Sequence, residues 1–286
     1  MRSLDIEFEI VNITSFIYDT VKSAGYERVI LGLSGGLDSA VVAGLCTLAL
    51  SKVNVIAVMM PYKNSHPDSL AHAKLLVDFL GIESFIVPVT EMVDTYFDWF
   101  ESEADMLRRG NRIARERMCI LYDLSSKYKA LVVGTSNKSE IYSGYCTQFG
   151  DSASAFEPIA HLYKTEVYEI ASTIKIPEVI IDKKPTADLW EGQTDENELG
   201  ITYNELDKIL YLLLDEEKDV VDISDGRRGV GSLRPAPNSV VDISDGQKEY
   251  ILSQGISEFS YDLVIKKINN SSFKRRMPLT LKGCFA

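Results

Sequence analysis

Apolar residues recur at helical spacing over residues 6–24 (Ile6, Ile10, Ile13, Phe16, Ile17, Val21), and Gly25 stands where a helix C-cap belongs. The pattern then changes to short β-rich runs. Residues 29–33 are sized for one buried strand, Ser34-Gly35-Gly36 breaks the run, and a small-residue helical stretch follows over 40–49. Residues 53–60 form a second buried-strand run and 61–67 a turn, and 68–80 a helix stopped by Gly81. A third strand is expected over 84–89. The acidic, aromatic stretch 91–105 reads as a helix with Tyr96, Phe97, Trp99 and Phe100 partly on a packing face. A long helix over 111–128 and a fourth strand over 130–133 complete the alternation. Strands alternating with helices of this length predict βαβ units: an α/β fold, Rossmann-like and doubly wound, its mainly parallel sheet covered by helices on both faces. Ligands of such sheets lie at the carboxyl ends of the strands. That rule brings residues 34–39 and the segment after Val133 to one sheet edge.

The chemistry concentrates at that edge. A strand, a glycine turn and a helix N-terminus make an anion site, because the backbone N–H groups converge there and the helix dipole adds to the attraction. Ser34 and Ser39 bring hydroxyls from either side of the turn. Asp38 repels a phosphate and makes sense with a divalent cation between the two. The turn is not GxxxxGK[ST], since no lysine ends it, and it is not GxGxxG. After the fourth strand, GTSNKSE (134–140) offers Thr135 as a second phosphate or ribose contact and Glu140 as a second carboxylate to face Asp38. Two carboxylates with phosphate oxygens and waters are how Mg²⁺ is usually held. The plain alternative is a capped glycine turn beside a solvated glutamate.

Composition narrows the partners. The chain has 286 residues, 45% hydrophobic and 25% charged, as expected of a soluble globular protein. A net charge of −12 and a pI near 4.8 argue against a nucleic-acid-binding surface. Cys46, Cys119, Cys146 and Cys284 are scattered without zinc spacing, which suits a reducing compartment. The acidic N-terminus lacks a signal-peptide pattern and no apolar run reaches membrane-spanning length, so a cytoplasmic protein without membrane partners is expected.

The six residues Ser34-Gly35-Gly36-Leu37-Asp38-Ser39 resemble the PP-loop, SGGxDS, of the N-type ATP pyrophosphatases. Around them stand, in order, Asn111-x-x-Ala114-Arg115-x-Arg117-Met118, GTSNKSE, GYCTQFGD (144–151), LYKTEVY (162–168), KKPTADLWEGQTDENELG (183–200) and FKRRMP (273–278). Together they are similar to the NAD synthetase family, from the first helix to the last basic segment. The match is weak over 218–250. There VVDISDG occurs twice, at 220–226 and 240–246, and an insertion into one synthetase-like domain spanning 1–286 is expected.

The resemblance implies an adenine nucleotide alpha hydrolase-like fold and a C–N ligase. Such an enzyme adenylates the carboxylate of nicotinic acid adenine dinucleotide (deamido-NAD) with MgATP, and ammonia then displaces AMP. It also implies a homodimer, with free ammonia or a separate glutaminase as nitrogen source. By position, Gly32, Leu33, Ser34, Gly35, Gly36, Leu37, Asp38 and Ser39 become the ATP phosphate cradle, joined by Thr135, Lys164 and Thr186. Asp38 and Lys164 become the catalytic pair, Asp38 and Glu140 the Mg²⁺ ligands. Arg115, Arg117, Gln148 and Lys274 fall to the dinucleotide. Three positions depart from the ammonia-dependent pattern: Gln148 stands for a usual lysine, Ala155 for an aspartate and Phe273 for a histidine. All three belong to the acceptor side. The rivals are a PP-loop ligase that adenylates another carboxylate or carbonyl, and a non-catalytic ATP-binding module. Asp38, Glu140 and Lys164 together speak against the second, because a binder needs no complete metal and leaving-group set.

Overall fold

The computed structural model describes residues 4–190, 192–216, 243 and 245–275. They fall into two compact units, one built from the described residues up to 138 and from 146–200, the other from 139–145 and those beyond 200. In the first, α1 (Ile6–Ser23) leads into β1 (Arg28–Gly32), α2 (Leu37–Leu50), β2 (Val55–Met59), α3 (Pro67–Leu80), β3 (Glu83–Ile86), α4 (Thr90–Phe100), α5 (Met106–Tyr128) and β4 (Ala130–Val132). The short α6 (Lys138–Ser143) runs out of this unit, and α7 (Lys164–Thr173), α8 (Glu178–Ile181) and α9 (Asp195–Leu199) belong to it again.

The strands pair in the order β3-β2-β1-β4, every pair parallel, with Val29 opposite both Val55 and Leu131. Their period of two sorts the side chains into two cores. Val29, Leu31, Val55 and Ala57 pack with Ile13 and Ile17 of α1 and Val41 and Leu45 of α2. Ile30, Ile56, Val58 and Val132 pack on the opposite face with Val93 and Phe97 of α4 and Ile113 and Leu121 of α5. Helices therefore cover both faces, and the central strands read as continuous apolar runs because neither face meets water.

Several boundaries move from the apolar pattern, each for a local reason. α2 begins at Leu37, ahead of the apolar stretch, because Gly36 serves as N-cap and the first turn takes in Leu37-Asp38-Ser39. A 3₁₀ turn at Lys52–Asn54 delays β2 to Val55. The helix expected over 91–105 ends at Phe100. Asp105 instead caps α5, accepting from Arg108 N at 2.7 Å, so α5 starts at Met106 rather than 111.

The second unit contains α10 (Tyr203–Leu214), α11 (Asp245–Ser253) and α12 (Glu258–Asn270). α10 packs on α12, with Leu206, Leu210, Val264 and Ile268 buried. Of the stretch 218–250 only residue 243 and residues 245–250 are described, and the first VVDISDG copy lies outside the described residues. In the second copy, Asp245-Gly246 open α11, where their composition favours a turn. Asp245 suits a helix start because its carboxylate complements the dipole. No helix among the described residues is long and apolar enough to cross a membrane.

Ile30 is fully buried at the centre of the sheet. Ile30→Ala should lower the unfolding free energy by about 2–5 kcal/mol, read as a shift in denaturant midpoint with an unchanged slope.

Candidate functional site

The turn after β1 is shaped by its neighbours. Leu33 N donates to Val58 O at 2.9 Å, which holds the chain against β2 as it leaves the sheet. Gly35 follows with φ +74°, and a Cβ there would lie 2.0 Å from the carbonyl oxygen of Ser69 in the first turn of α3. Glycine is thus required at 35 by the protein's own backbone as well as by its left-handed conformation. The two serines brace the turn from inside. Ser34 Oγ and Ser39 Oγ lie 3.0 Å apart, Ser39 Oγ donates to Gly36 O at 3.1 Å, and Ser34 Oγ accepts from Gly36 N at 3.2 Å. Their hydroxyls thus bond within the turn, a contact the sequence did not predict. Gly36 is the N-cap of α2, and among the described residues no side chain makes a capping hydrogen bond there.

Asp38, in the first turn of α2, draws two other stretches to the turn. The Lys164 ammonium makes an ion pair with Asp38 Oδ2, and Asn137 Nδ2 donates to Asp38 Oδ1 at 2.9 Å. The Lys164 side chain is only 2% exposed and Asn137 is fully buried. Lys164 is the first residue of α7, whose start is fixed by Glu166 Oε2 accepting from Tyr163 N at 2.9 Å. The two residues named as catalytic from the sequence, Asp38 and Lys164, are thus in direct contact, a pairing that the sequence reading did not include. Asn137, the third member, carried no sequence signal beyond standing in GTSNKSE.

Thr135 sits in the turn leaving β4, and that turn has its own brace. Glu157 Oε2 accepts from Ser136 N at 2.9 Å, while Glu157 Oε1 accepts from Ser154 Oγ at 2.8 Å and from Ser136 Oγ at 3.4 Å. The carboxyl lies over Gly134, where a Cβ would meet Glu157 Oε1 at 2.1 Å. Burial pushes the Glu157 carboxyl up to about 7, with Asp151 adding to the rise and the serine donors opposing it.

Residues 183–188 fasten to the start of α3. Lys183 Nζ donates to Ser69 Oγ at 2.9 Å, and Asp188 Oδ1 accepts from His66 N at 2.9 Å. Thr186 Oγ1 accepts from Asp188 N at 3.1 Å, with Asp188 in a left-handed conformation, φ +52°. Burial lowers the Lys183 pKa, and Asp188 and Asp68 act against that. Ser69 thus touches both the phosphate-type turn and the segment that carries Thr186.

The expected acceptor residues divide between the units. Arg115 Nε donates to Gln148 O at 3.2 Å, and Arg117 Nε donates to Met60 O at 3.0 Å. Burial lowers the Arg117 pKa, while Asp188 and Asp151 raise it. In the other unit, Lys274 Nζ donates to Gly144 O at 2.8 Å, and the Arg275 guanidinium lies 5.2 Å from the Tyr142 ring centre. Phe273 is 55% exposed. Glu140, in the first turn of α6, belongs to that unit and Asp38 to the first. Among the described residues no group of three or more His, Cys, Asp or Glu side chains is arranged to hold a metal.

A family profile described as NAD synthase matches residues 9–230. The chain belongs to the NAD synthase family. The NH(3)-dependent NAD(+) synthetase of Fusobacterium nucleatum subsp. nucleatum is 48% identical over 284 residues, 99% of either chain. That of Trichlorobacter lovleyi is 41% identical, covering 99% of this chain and 93% of its own. Among solved structures, an NMN synthetase from Francisella tularensis superposes with a TM-score of 0.76 at 28% identity, covering 98% of this chain and 100% of that one. An NH3-dependent NAD synthetase from Campylobacter jejuni does so at 0.75 and 30%, with the same coverage. The parallel sheet with helices on both faces is the fold of these NAD synthase relatives.

Two outcomes follow from the local geometry. Gly35→Ala should unfold at lower temperature and lose nucleotide binding, because the added methyl meets backbone rather than a movable side chain; calorimetry with and without ATP reads both. For Glu157, the unfolded carboxyl titrates near 4.5 and the folded one near 7, so over that interval the fold keeps a proton that the unfolded chain has lost. Stability therefore falls as pH rises from about 4.5 to about 7, by about 3 kcal/mol. Glu157→Gln should flatten that part of a stability-against-pH curve.

Proposed function

We propose that this chain carries out ATP-dependent amidation of nicotinic acid adenine dinucleotide with ammonia, giving NAD, AMP and pyrophosphate through an acyl-adenylate. The observation that carries this is 48% identity along the whole length to a chain named NH(3)-dependent NAD(+) synthetase. The chemistry suits the residues present. A carboxylate is a poor electrophile, and adenylation splits one difficult substitution into two easier ones. What the protein must supply is positioning and charge neutralisation on the polyphosphate rather than a strong acid or base.

The turn over residues 32–39 and the uncapped start of α2 hold the β,γ-phosphates in this reading. Lys164, already desolvated and fixed, places its ammonium against the leaving pyrophosphate. Thr135 and Thr186 complete the ATP contacts. Asp38 fits a Mg²⁺ site of the common kind, one or two carboxylates shared with substrate phosphates, and Glu140 is the second carboxylate of the proposal. When bound, that ion neutralises phosphate charge. Arg115, Arg117, Gln148 and Lys274 take the acceptor, with the chain 1–286 acting as one synthetase domain and as a homodimer in the cytoplasm.

The test is pyrophosphate and AMP release from MgATP and ammonium, with and without the dinucleotide, and with nicotinic acid mononucleotide as competing acceptor. Dinucleotide-dependent release with NAD formed is expected. Preference for the mononucleotide would reassign the acceptor and point to Gln148, Ala155 and Phe273 as its determinants. Release dependent on neither acceptor would refute amidation of either one. Lys164→Met should lower kcat/KM by about 10²–10³-fold while retaining the fold by circular dichroism.

A further inference from the structure

We propose that Glu157 is a positioning residue for ATP: its carboxylate fixes the Gly134–Ser136 turn so that Thr135 faces the nucleotide. The inference rests on the ATP-site reading above. Nothing in the sequence motifs points to Glu157, which falls between GYCTQFGD and LYKTEVY. Its geometry does. One carboxylate oxygen takes the backbone N–H of Ser136, the residue after Thr135, and the other takes the hydroxyls of Ser154 and Ser136. The carboxyl also occupies the space that any side chain at 134 would need. Gly134 N is bonded in turn to Phe156 O at 2.9 Å, so the turn is tied on both sides of Thr135 to the segment that carries Glu157.

The brace changes strength with protonation. An ionised carboxylate makes charge-assisted hydrogen bonds to all its donors. The protonated group must direct its own O–H at an acceptor, which costs it one of the three inward donors or forces a rotamer change. The groups facing it are the Ser136 N–H and hydroxyl, the Ser154 hydroxyl and, through space, the Asp151 carboxylate. Since the carboxyl titrates near neutrality, nucleotide affinity should weaken as pH falls through about 7. Removing the Ser154 donor removes support from the ionised form, so Ser154→Ala should move the midpoint upward.

The experiment is MgATP binding between pH 6 and pH 8.5 by calorimetry, which needs no acceptor and no turnover. The full chain is compared with Glu157→Gln, Glu157→Ala and Ser154→Ala. Expected for the wild type is a Kd about tenfold higher at the acid end, where a tenfold change corresponds to about 1.4 kcal/mol. Glu157→Gln should keep near wild-type affinity at high pH, since its amide oxygen still accepts from Ser136 N, and should lack the acid limb. Glu157→Ala should bind weakly at every pH, and Ser154→Ala should shift the limb to higher pH. Ionisation of ATP itself is common to all four proteins and cancels in their ratios. Superposable profiles for wild type and Glu157→Gln, or unaltered affinity in Glu157→Ala, overturn the proposal while leaving the ATP site standing. Wild-type protein that binds no MgATP at any pH overturns the ATP-site reading, and this inference with it. Product analysis with the two acceptors tests the acceptor separately.

Discussion

A lysine ammonium almost wholly withdrawn from water must have a fixed counter-charge, and at Lys164 that charge is Asp38. Much of the candidate site follows from this one pair. Asp38 can reach Lys164 only if the turn after β1 closes tightly, which Gly35 permits and the Ser34–Ser39 contacts maintain. Lys164 can reach Asp38 only if α7 starts where it does, which the bond from Tyr163 N to Glu166 secures. Asn137 takes the other carboxylate oxygen and so registers the segment after β4 against both. Removing one partner of such a pair leaves a buried charge uncompensated, which costs more than the intact pair contributes to stability.

The pair also bears on how a chain of net charge −12 would hold the polyphosphate of the proposed reaction. Long-range attraction is unavailable to it, so such binding would have to come from local features: a helix N-terminus, oriented N–H groups and desolvated cations such as Lys164. Before ligand binds, Asp38 neutralises that cation. In the proposed reading, a bound polyphosphate with a divalent ion would give each partner a new counter-charge, phosphate for the Lys164 ammonium and metal for the Asp38 carboxylate. The contacts of Ser69 with Gly35 and with Lys183 add a mechanical link, because the first turn of α3 sits against the turn and also anchors the segment bearing Thr186.

Much of this was legible in the chain. The alternation of short apolar runs with amphipathic helices predicts a parallel sheet with two covered faces, since a strand buried on both sides has no polar positions to alternate. SGGLDS after such a strand predicts the anion turn, and the ordered motifs predict the family. These are properties of contiguous residues, where periodicity and turn chemistry act over a few bonds. Asp105 was readable in principle as a helix cap, but an aromatic-rich helical pattern running up to it masked the stop at Phe100.

What only the tertiary structure decided is which side chains meet across long stretches of sequence. Glu157 looks like a surface glutamate beside a proline until its carboxyl is found over Gly134, bonded to Ser136. Ser69 looks like an ordinary helix-start serine until its carbonyl is found against Gly35. Ser34 and Ser39 read as ligand donors, and only the fold shows that their hydroxyls also bond within the turn. In each case the sequence determined the chemical type of the group. Burial and partner depend on distances set by packing between elements far apart in the chain, and a local pattern carries no record of those.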